Sequence, residues 1–301
     1  MTHNDVHVAM MNLLWPRTGL PRQVFYDYWS GAHTQISSRL PGIHQYFEHH
    51  LDAESGMLFP GAVQFTAGSR PHPGFFGDAE ITFASAEDLA AFAGALAPLM
   101  EDEQNVFDKT ISYQAKGEHA RTLVDRSLDD SPNGDLGQLE KYMLYLRRAG
   151  DEEAFRDQIV GIAQELAEAD DIVKVRYRFP QYYDNEAVTL LAPNVSNYEA
   201  DGDQVHASLE VVFDDALARR RFGATELSGR LSELLGSACS DVYPTRVLRT
   251  FTVYNHGRIT LAGLRTPQMA AQIAAIGAIN QVDEQTEQLM LREHTFRSRG
   301  V

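Results

Sequence analysis

The stretch 77–92, "GDAEITFASAEDLAAF", joins a strand pattern to a helix pattern. In its first part Ala79, Ile81 and Phe83 alternate with polar residues, as in a strand with one buried face. Ser85 then precedes a run with apolar residues at helical spacing, and serine is a favoured residue at a helix N-cap. The stretch 207–222, "ASLEVVFDDALARRRF", repeats this order of strand and helix 130 positions later. The chain is therefore predicted to contain two similar units.

The elements around these stretches extend the similarity to both halves of the chain. Four apolar pairs share the spacing of 130 positions: Phe25 with Phe155, Ile43 with Val173, Phe83 with Phe213, and Phe92 with Phe222. Strands are predicted at 6–14, 43–51, 77–85 and 109–116, and again at 139–148, 172–179, 205–215 and 245–254. With the intervening helices, each half has the order β-α-β-β-α-β of a ferredoxin-like unit. The predicted fold class is α+β, with two tandem ferredoxin-like units that arose by duplication.

Composition sets the predicted domain boundaries. Residues 1–120 form the first unit, and 121–137, rich in Asp, Ser, Pro and Gly, form a linker. Residues 138–256 form the second, diverged unit, and 257–301 form a C-terminal helical arm. The many alanines of the arm indicate close packing against the body or against another subunit, so the arm is compatible with a homodimer. A partly ordered arm is the alternative.

Charge and cysteine content limit the partners. The chain has 42 acidic and 26 basic residues and a net charge of −16, so nucleic acid and membrane surfaces are not expected partners. The single cysteine, Cys239, leaves no disulfide within the chain and no thiolate metal cluster. The N-terminal residues lack the pattern of a signal peptide, and no apolar run reaches the roughly 18 residues of a membrane span. We expect a cytoplasmic protein.

The bare sheet faces of the two units predict a polar space between them. An antiparallel sheet covered by helices on one face needs a partner for the other, and two such sheets can face each other. Alternation then turns Asp78 and Glu80 inward from the first half, and Arg176 and Arg178 inward from the second. Arg176 and Arg178 could bind a substrate carboxylate, since arginine binds carboxylates with two parallel hydrogen bonds. The alternative is that the arginines pair with glutamates across the space as a structural network.

The predicted strand 43–51 adds an imidazole and a phenol to the same space. With Ile43 and Phe47 assigned to the helix side, His44 and Tyr46 point inward, two positions apart on one face. A histidine that titrates near neutrality is suited to removing a phenolic proton. An exposed strand edge is the alternative for His44.

Several motifs of the first half resemble the EthD-type branch of the dimeric α/β-barrel superfamily. They are "FYDYWSGAH" (25–33), "LPGIHQYFEH" (40–49) and "DEQNVFDKTISYQAKGE" (102–118), within a resemblance that covers about residues 6 to 118. The second half keeps the layout without the signature, because Ile159 and Ala163 stand where the spacing of 130 would place counterparts of Trp29 and His33. The resemblance implies a barrel made within one chain, with the chemistry carried by its first half.

The resemblance also implies a range of activities. The superfamily includes cofactor-independent cyclases, quinone-forming monooxygenases, dehydratases, lyases and haem-dependent relatives, most of which act on aromatic or hydrophobic substrates. His33 stands where the family has its histidine, and an acid–base role follows from the resemblance. Its alternative is a histidine that interacts with the dipole at a helix C-terminus.

These observations give a set of candidate residues. The catalytic candidates are His33, His44 and Tyr46; the substrate-binding candidates are Tyr28, Trp29, Asp78, Glu80, Arg176, Arg178 and His72. His72 belongs to a glycine- and proline-rich loop, 68–78, that we expect to cover the barrel mouth.

No metal or cofactor is expected. His44, Glu48 and His50 share a strand face, but positions four apart on a strand lie roughly 13 Å apart, too far for one ion. The glycine-rich dinucleotide motif, the P-loop and the nucleophile-elbow serine motif are not found.

The sequence thus favours a cofactor-independent lyase, or a related cyclase or isomerase. The expected substrate is a small aromatic or polyketide-like acid. A cofactor-free, quinone-forming monooxygenase and a non-catalytic ligand-binding accessory protein are the alternatives.

Overall fold

The computed structural model describes residues 6–52 and 72–291. The strands are β1 Val8–Pro16, β2 Gln45–Asp52, β3 Gly77–Phe83, β4 Phe107–Lys116, β5 Ala120–Asp125, β6 Glu140–Arg148, β7 Ile172–Arg178, β8 Ala207–Phe213, β9 Cys239–Asn255 and β10 Arg258–Ile259. The α-helices are α1 Arg22–Tyr28, α2 Thr34–Ser37, α3 Ala86–Gly94, α4 Ala97–Glu103, α5 Glu152–Glu168, α6 Ala216–Gly223, α7 Glu226–Ala238, α8 Leu261–Arg265, α9 Pro267–Ile276 and α10 Glu284–Leu291. A π-helical segment, Trp29–His33, lies between α1 and α2.

The stretches that suggested two similar units have the expected structure. Strands β3 and β8 begin and end 130 positions apart. The helices that follow them are capped alike, because the Ser85 side chain accepts a hydrogen bond from the backbone of Asp88 and the Asp215 side chain accepts one from Ala218. Such caps satisfy backbone N–H groups that have no partner within the helix. That one unit was duplicated to give the other stays a prediction.

The sheet closes on itself. Its strand order is β4-β1-β3-β2-β9-β6-β8-β7-β5, and the two terminal strands are separated in the chain only by the turn Gly117–His119. The segment from β4 through β5 therefore pairs with β1 in the first half and with β7 in the second. Strand β9 likewise pairs with β6 and with β2. The result is an α+β barrel that resembles the ferredoxin-like dimeric barrels.

The linker is shorter than its composition suggested. Residues 121–125 belong to β5 and pair with β7, so the irregular connection starts after Asp125. This polar segment joins the ladder because β7 would otherwise be an unpaired edge.

Three apolar clusters separate the inside of the barrel from its outside. Two lie between the sheet and helices, one in each half; Phe25, Phe83 and Phe92 belong to the first, and their counterparts Phe155, Phe213 and Phe222 to the second. The third cluster lies inside the barrel and contains no helical residue. Among the described helices, none combines the length and the apolar character needed to cross a membrane.

The facing predicted for β2 is wrong by one residue. Tyr46 packs in the helix-side cluster with Phe25, whereas His49 lies on the inner face beside Glu80. Ile43 is buried on the helix side, but it precedes the strand and follows Gly42, which has a positive φ of +81°. The burial of a turn residue does not mark the face of the strand that follows.

Candidate functional site

The predicted substrate-binding charges inside the barrel bind one another. Arg178 Nη2 lies 2.9 Å from Asp78 Oδ2, and Arg178 Nη1 lies 3.2 Å from Glu80 Oε2. Arg176 donates to the other oxygen of Glu80. Burial alone would raise the pKa of Glu80, but the two guanidinium groups hold it well below its usual value. The geometry is that of the structural network, the alternative to a carboxylate clamp.

The rest of the interior is also packed with protein groups. Tyr145 donates a hydrogen bond of 2.9 Å to Asp78, and Lys141 Nζ lies 2.7 Å from Glu210 Oε1. His72 lies 3.1 Å from the Thr245 hydroxyl, and its ring packs at 4.5 Å from that of Phe75. His72 thus covers the aromatic end of the interior, although residues 68–71 of its loop lie outside the described residues.

A second set of polar residues lies on the opposite, helix-facing side of β2. We call Thr34, Ser37, Tyr46, Glu48 and His50 the outer cluster. Tyr46 donates a 3.0 Å hydrogen bond to Glu48 Oε1, which also accepts from the Thr34 hydroxyl. Ser37 lies 3.4 Å from the Tyr46 hydroxyl. Strand β2 and the helical segment after Trp29 together position these groups.

Glu48 is the acid of the outer cluster. Its side chain is fully buried, and burial raises its pKa from 4.5 to about 8, although hydrogen bonds from Thr34 and Tyr46 oppose the rise. At neutral pH the carboxyl group is therefore protonated. Its Oε2 has no hydrogen-bond partner, so this oxygen is free to carry a transferable proton. Burial likewise raises the pKa of Tyr46 well above its usual value.

His50 lies two positions from Glu48 on the same strand face. Its ring stacks on Tyr26 at 4.5 Å and on Trp29 at 5.0 Å, and neither ring nitrogen has a hydrogen-bond partner. Burial, together with the charge of Arg249, lowers its pKa to about 3. Buried polar atoms without hydrogen-bond partners cost free energy. Glu48 and His50 together have three such atoms, which indicates a functional rather than a stabilising role.

His33, a catalytic candidate from the EthD resemblance, directly precedes Thr34 of the outer cluster but has its own partners. Its Nδ1 lies 2.9 Å from Asp102 Oδ2, and Tyr28 donates a 2.7 Å hydrogen bond to the other oxygen of Asp102. A carboxylate on one ring nitrogen fixes the orientation of an imidazole and leaves its second nitrogen for proton transfer. The π-helical segment ends at His33, and π-helical turns often occur at functional sites.

Trp29 is fully buried in the same layer. Its ring lies against Gly77, where a Cβ atom would come within 2.7 Å of the indole. A side chain at that position would displace the ring that stacks on His50. Because Gly77 has no side chain, the Trp29 ring can occupy this position.

The remaining catalytic candidate is not a member of the outer cluster. His44 precedes β2, and its ring lies 5.9 Å from that of His256 in the β9–β10 hairpin. The predicted site residues therefore do not share one cavity, because they divide between the two faces of the sheet. Within the described residues, no three His, Cys, Asp or Glu side chains are grouped as metal ligands.

Comparison with protein families identifies the first half. Residues 17–110 match the EthD domain. This segment is the part of the chain that matches the EthD domain. It contains α1, the π-helical segment, β2 and β3, and thus both His33 and the outer cluster. No curated protein matches the chain in sequence.

Solved structures share the barrel architecture at low sequence identity. A Fusobacterium nucleatum protein, provisionally assigned as a monooxygenase, is 7% identical with a TM-score of 0.51; the match covers 85% of this chain and 97% of that one. An anthrone oxidase-like protein is 11% identical with a TM-score of 0.48, covering 84% and 95%. A provisionally assigned chlorite dismutase is 9% identical with a TM-score of 0.39, covering 89% and 99%. The similarity to the Fusobacterium nucleatum protein shows a shared fold alone.

Two acid groups of this region had no predicted role in the chemistry. Asp102 lies in the acidic segment of the EthD resemblance, and Glu48 was considered only as a metal ligand. The signal for Glu48 was available in the pattern, since Tyr46, Glu48 and His50 recur at every second position. The prediction failed because it assigned these residues to the inner face of the strand, whereas they lie on the helix-facing side.

Proposed function

We propose that this protein is a cofactor-independent enzyme of the lyase, cyclase or isomerase kind, acting in the cytoplasm on a small aromatic or polyketide-like acid. The EthD domain supplies the acid–base groups, and the outer cluster is the reaction centre. The observation that carries the proposal is Glu48, a fully buried carboxyl group with a pKa of about 8 and one oxygen without a partner. A general acid works best when its pKa lies near the working pH.

Decarboxylation of a hydroxylated aromatic acid illustrates the chemistry. Glu48 donates its proton to the ring carbon that bears the carboxylate, and the phenol supplies the electron pair for the new C–H bond. The carbon–carboxylate bond then breaks, its electron pair restores the aromatic ring, and carbon dioxide leaves. Glu48 recovers a proton from water. Tyr46 and Thr34, which donate to Oε1, stabilise the carboxylate formed in between.

Dehydration, cyclisation and double-bond migration need the same group. In each, a carboxyl group moves a proton to or from a carbon or oxygen of a conjugated acid. The aromatic rings of Tyr26 and Trp29 enclose His50 and make the surroundings of the outer cluster apolar.

Turnover of a substrate panel tests the proposal. The panel contains hydroxybenzoic, hydroxynaphthoic and linear polyketide acids, and products are followed by mass spectrometry. We expect Glu48→Gln to lower turnover by at least about a hundredfold, within the range of general acid catalysis. Glu103→Gln is the matched control, since Glu103 is a second buried glutamate of the same domain, with a pKa raised by burial to about 7. Equal turnover by wild type and Glu48→Gln would overturn the proposal.

Oxygen distinguishes the alternative functions. A quinone-forming monooxygenase consumes oxygen, whereas the proposed reaction proceeds at the same rate under nitrogen. The Fusobacterium nucleatum protein is provisionally assigned as a monooxygenase. Binding of panel acids without any product would favour the accessory protein. The variant Asp102→Asn tests whether the His33–Asp102 pair contributes, because the amide no longer holds the imidazole as a charged partner does.

We also propose that the C-terminal arm joins two copies in a homodimer. Ile276 and Ile279 are each 79% exposed, and Leu289 is 57% exposed. Apolar side chains grouped on a surface mark interaction sites more often than free surface. Sedimentation should show a dimer that Ile276→Asp combined with Ile279→Asp converts to a monomer. A monomeric wild type would contradict this.

A further inference from the structure

A cleft lies directly beside the outer cluster. It has a volume of about 560 Å³, within the range of small-molecule sites, and is formed by residues 133–139, β9 and α9. Its apolar walls include Leu136, Leu248, Phe251 and Pro267. The sequence assigned no role to these residues.

The strand pairing connects the cleft to the outer cluster. Across the β2–β9 ladder, Arg249 stands opposite His50, and Phe251 stands opposite Glu48. Directly opposed residues of an antiparallel pair project from the same face, with Cβ atoms about 4.5–5.5 Å apart. The Phe251 ring lies 5.0 Å from that of His50. Two cleft residues are therefore the cross-strand neighbours of the two buried titratable groups.

The cleft has an excess of positive charge in a chain with a net charge of −16. Arg249 is exposed and forms no ion pair within the described part of the chain. Arg246 lies 3.7 Å from Glu140, but Glu140 already accepts from Arg219. Asp135 is the carboxylate of the lining, and its Oδ1 accepts a 2.7 Å hydrogen bond from the backbone of Gly137. The arginines are thus available to an anionic ligand.

The cleft also contains a buried acceptor that lacks a donor. Asn133 donates through Nδ2 to the carbonyl of Pro267 at 3.1 Å, while its Oδ1 is buried and has no partner. A ligand hydroxyl would satisfy this oxygen.

We propose that this cleft binds a hydroxylated aromatic carboxylate, with Arg249 on the carboxylate, Phe251 against the ring and Asn133 Oδ1 accepting from a hydroxyl. That the bound acid is then converted rests on the proposed function, whereas the binding of the acid to the cleft does not. Arg249 thereby takes the role that the sequence gave to Arg176 and Arg178, which are occupied by Asp78 and Glu80.

Calorimetric titration with salicylate and a hydroxynaphthoate tests the site, with salicylamide as the neutral analogue of salicylate. We expect the acids to bind at least tenfold more tightly than the amide. Arg249→Gln should weaken acid binding at least tenfold and leave amide binding unchanged, because a charged hydrogen-bonded pair is lost. Arg258→Gln is the matched control, an exposed arginine of β10 outside the cleft. Ala271→Trp, at an exposed lining position, should weaken binding of both ligands by filling the cleft.

The outcomes separate this inference from the proposed function. Acid and amide binding with equal affinity, or Arg249→Gln binding the acids as wild type does, would overturn the cleft assignment whatever happens to turnover. If the acids bind through Arg249 and no panel acid is converted, the binding site stands and the enzyme proposal fails. If Glu48→Gln binds the acids normally but does not convert them, both stand.

Discussion

Replacing Glu48 with Gln should abolish the pH dependence of stability that this residue confers. The carboxyl pKa is 4.5 ordinarily and about 8 in the fold, because the group is buried beside Tyr46 and Thr34. A glutamine amide has nearly the same shape, keeps an oxygen for both hydrogen bonds and carries no charge at any pH. The difference between wild type and variant therefore isolates the ionisation of one group.

The sign follows from the raised pKa. Below pH 4.5 the group is protonated in both states, and its contribution to stability is fully present. Between 4.5 and 8 the unfolded chain loses the proton while the folded chain keeps it, so stability falls as pH rises. At 1.36 kcal/mol per pKa unit, the loss is about 1 kcal/mol at pH 5, about 3 at pH 7 and about 5 at pH 9, where it levels off.

Urea unfolding of both proteins at pH 5, 7 and 9 measures this loss. Wild type should become less stable relative to Glu48→Gln by about 4 kcal/mol from the lowest to the highest pH. Glu153→Gln, an exposed position on α5, should show little such change, since its carboxylate is in water in both states. A stability difference between wild type and Glu48→Gln that is constant across the three pH values would refute the buried, protonated carboxyl group.

Three further perturbations test other parts of the structure. Arg178→Met should lower the free energy of unfolding by about 3–5 kcal/mol in urea titrations, because it removes the guanidinium paired with the buried Asp78 and one of the two paired with the buried Glu80, while the exposed Arg230→Met should change it little. Gly134 has a φ of +89°, and a Cβ there would lie 2.2 Å from the Phe251 ring, so Gly134→Ala should lower the thermal midpoint and weaken salicylate binding together. Burial raises the pKa of the Cys239 thiol to about 12, so a thiol-disulfide reagent at pH 8 should label the protein only after unfolding; rapid labelling of the native protein would contradict this.

The sequence alone determined much of the fold. Alternation in 77–83 and 207–213 places one face of each strand against helices, and Ser85 and Asp215 begin the helices that follow. These signals are local, because a strand's period and a helix cap depend on residues a few positions apart. The EthD motifs of the first half were recognisable for the same reason.

Tertiary structure decided where the charges lie and which of them are free. Asp78 and Arg178 point inward as alternation predicts, but only the closed sheet, with their side chains 2.9 Å apart, shows that they bind each other. The face of Tyr46 depended on where β2 begins, since a shift of one residue turns every side chain to the other side. The pairing of β2 with β9 brings together residues about two hundred positions apart, and it is what places Arg249 beside His50. A local sequence pattern cannot predict a contact between residues so far apart in the chain, because the contact exists only once the barrel has closed.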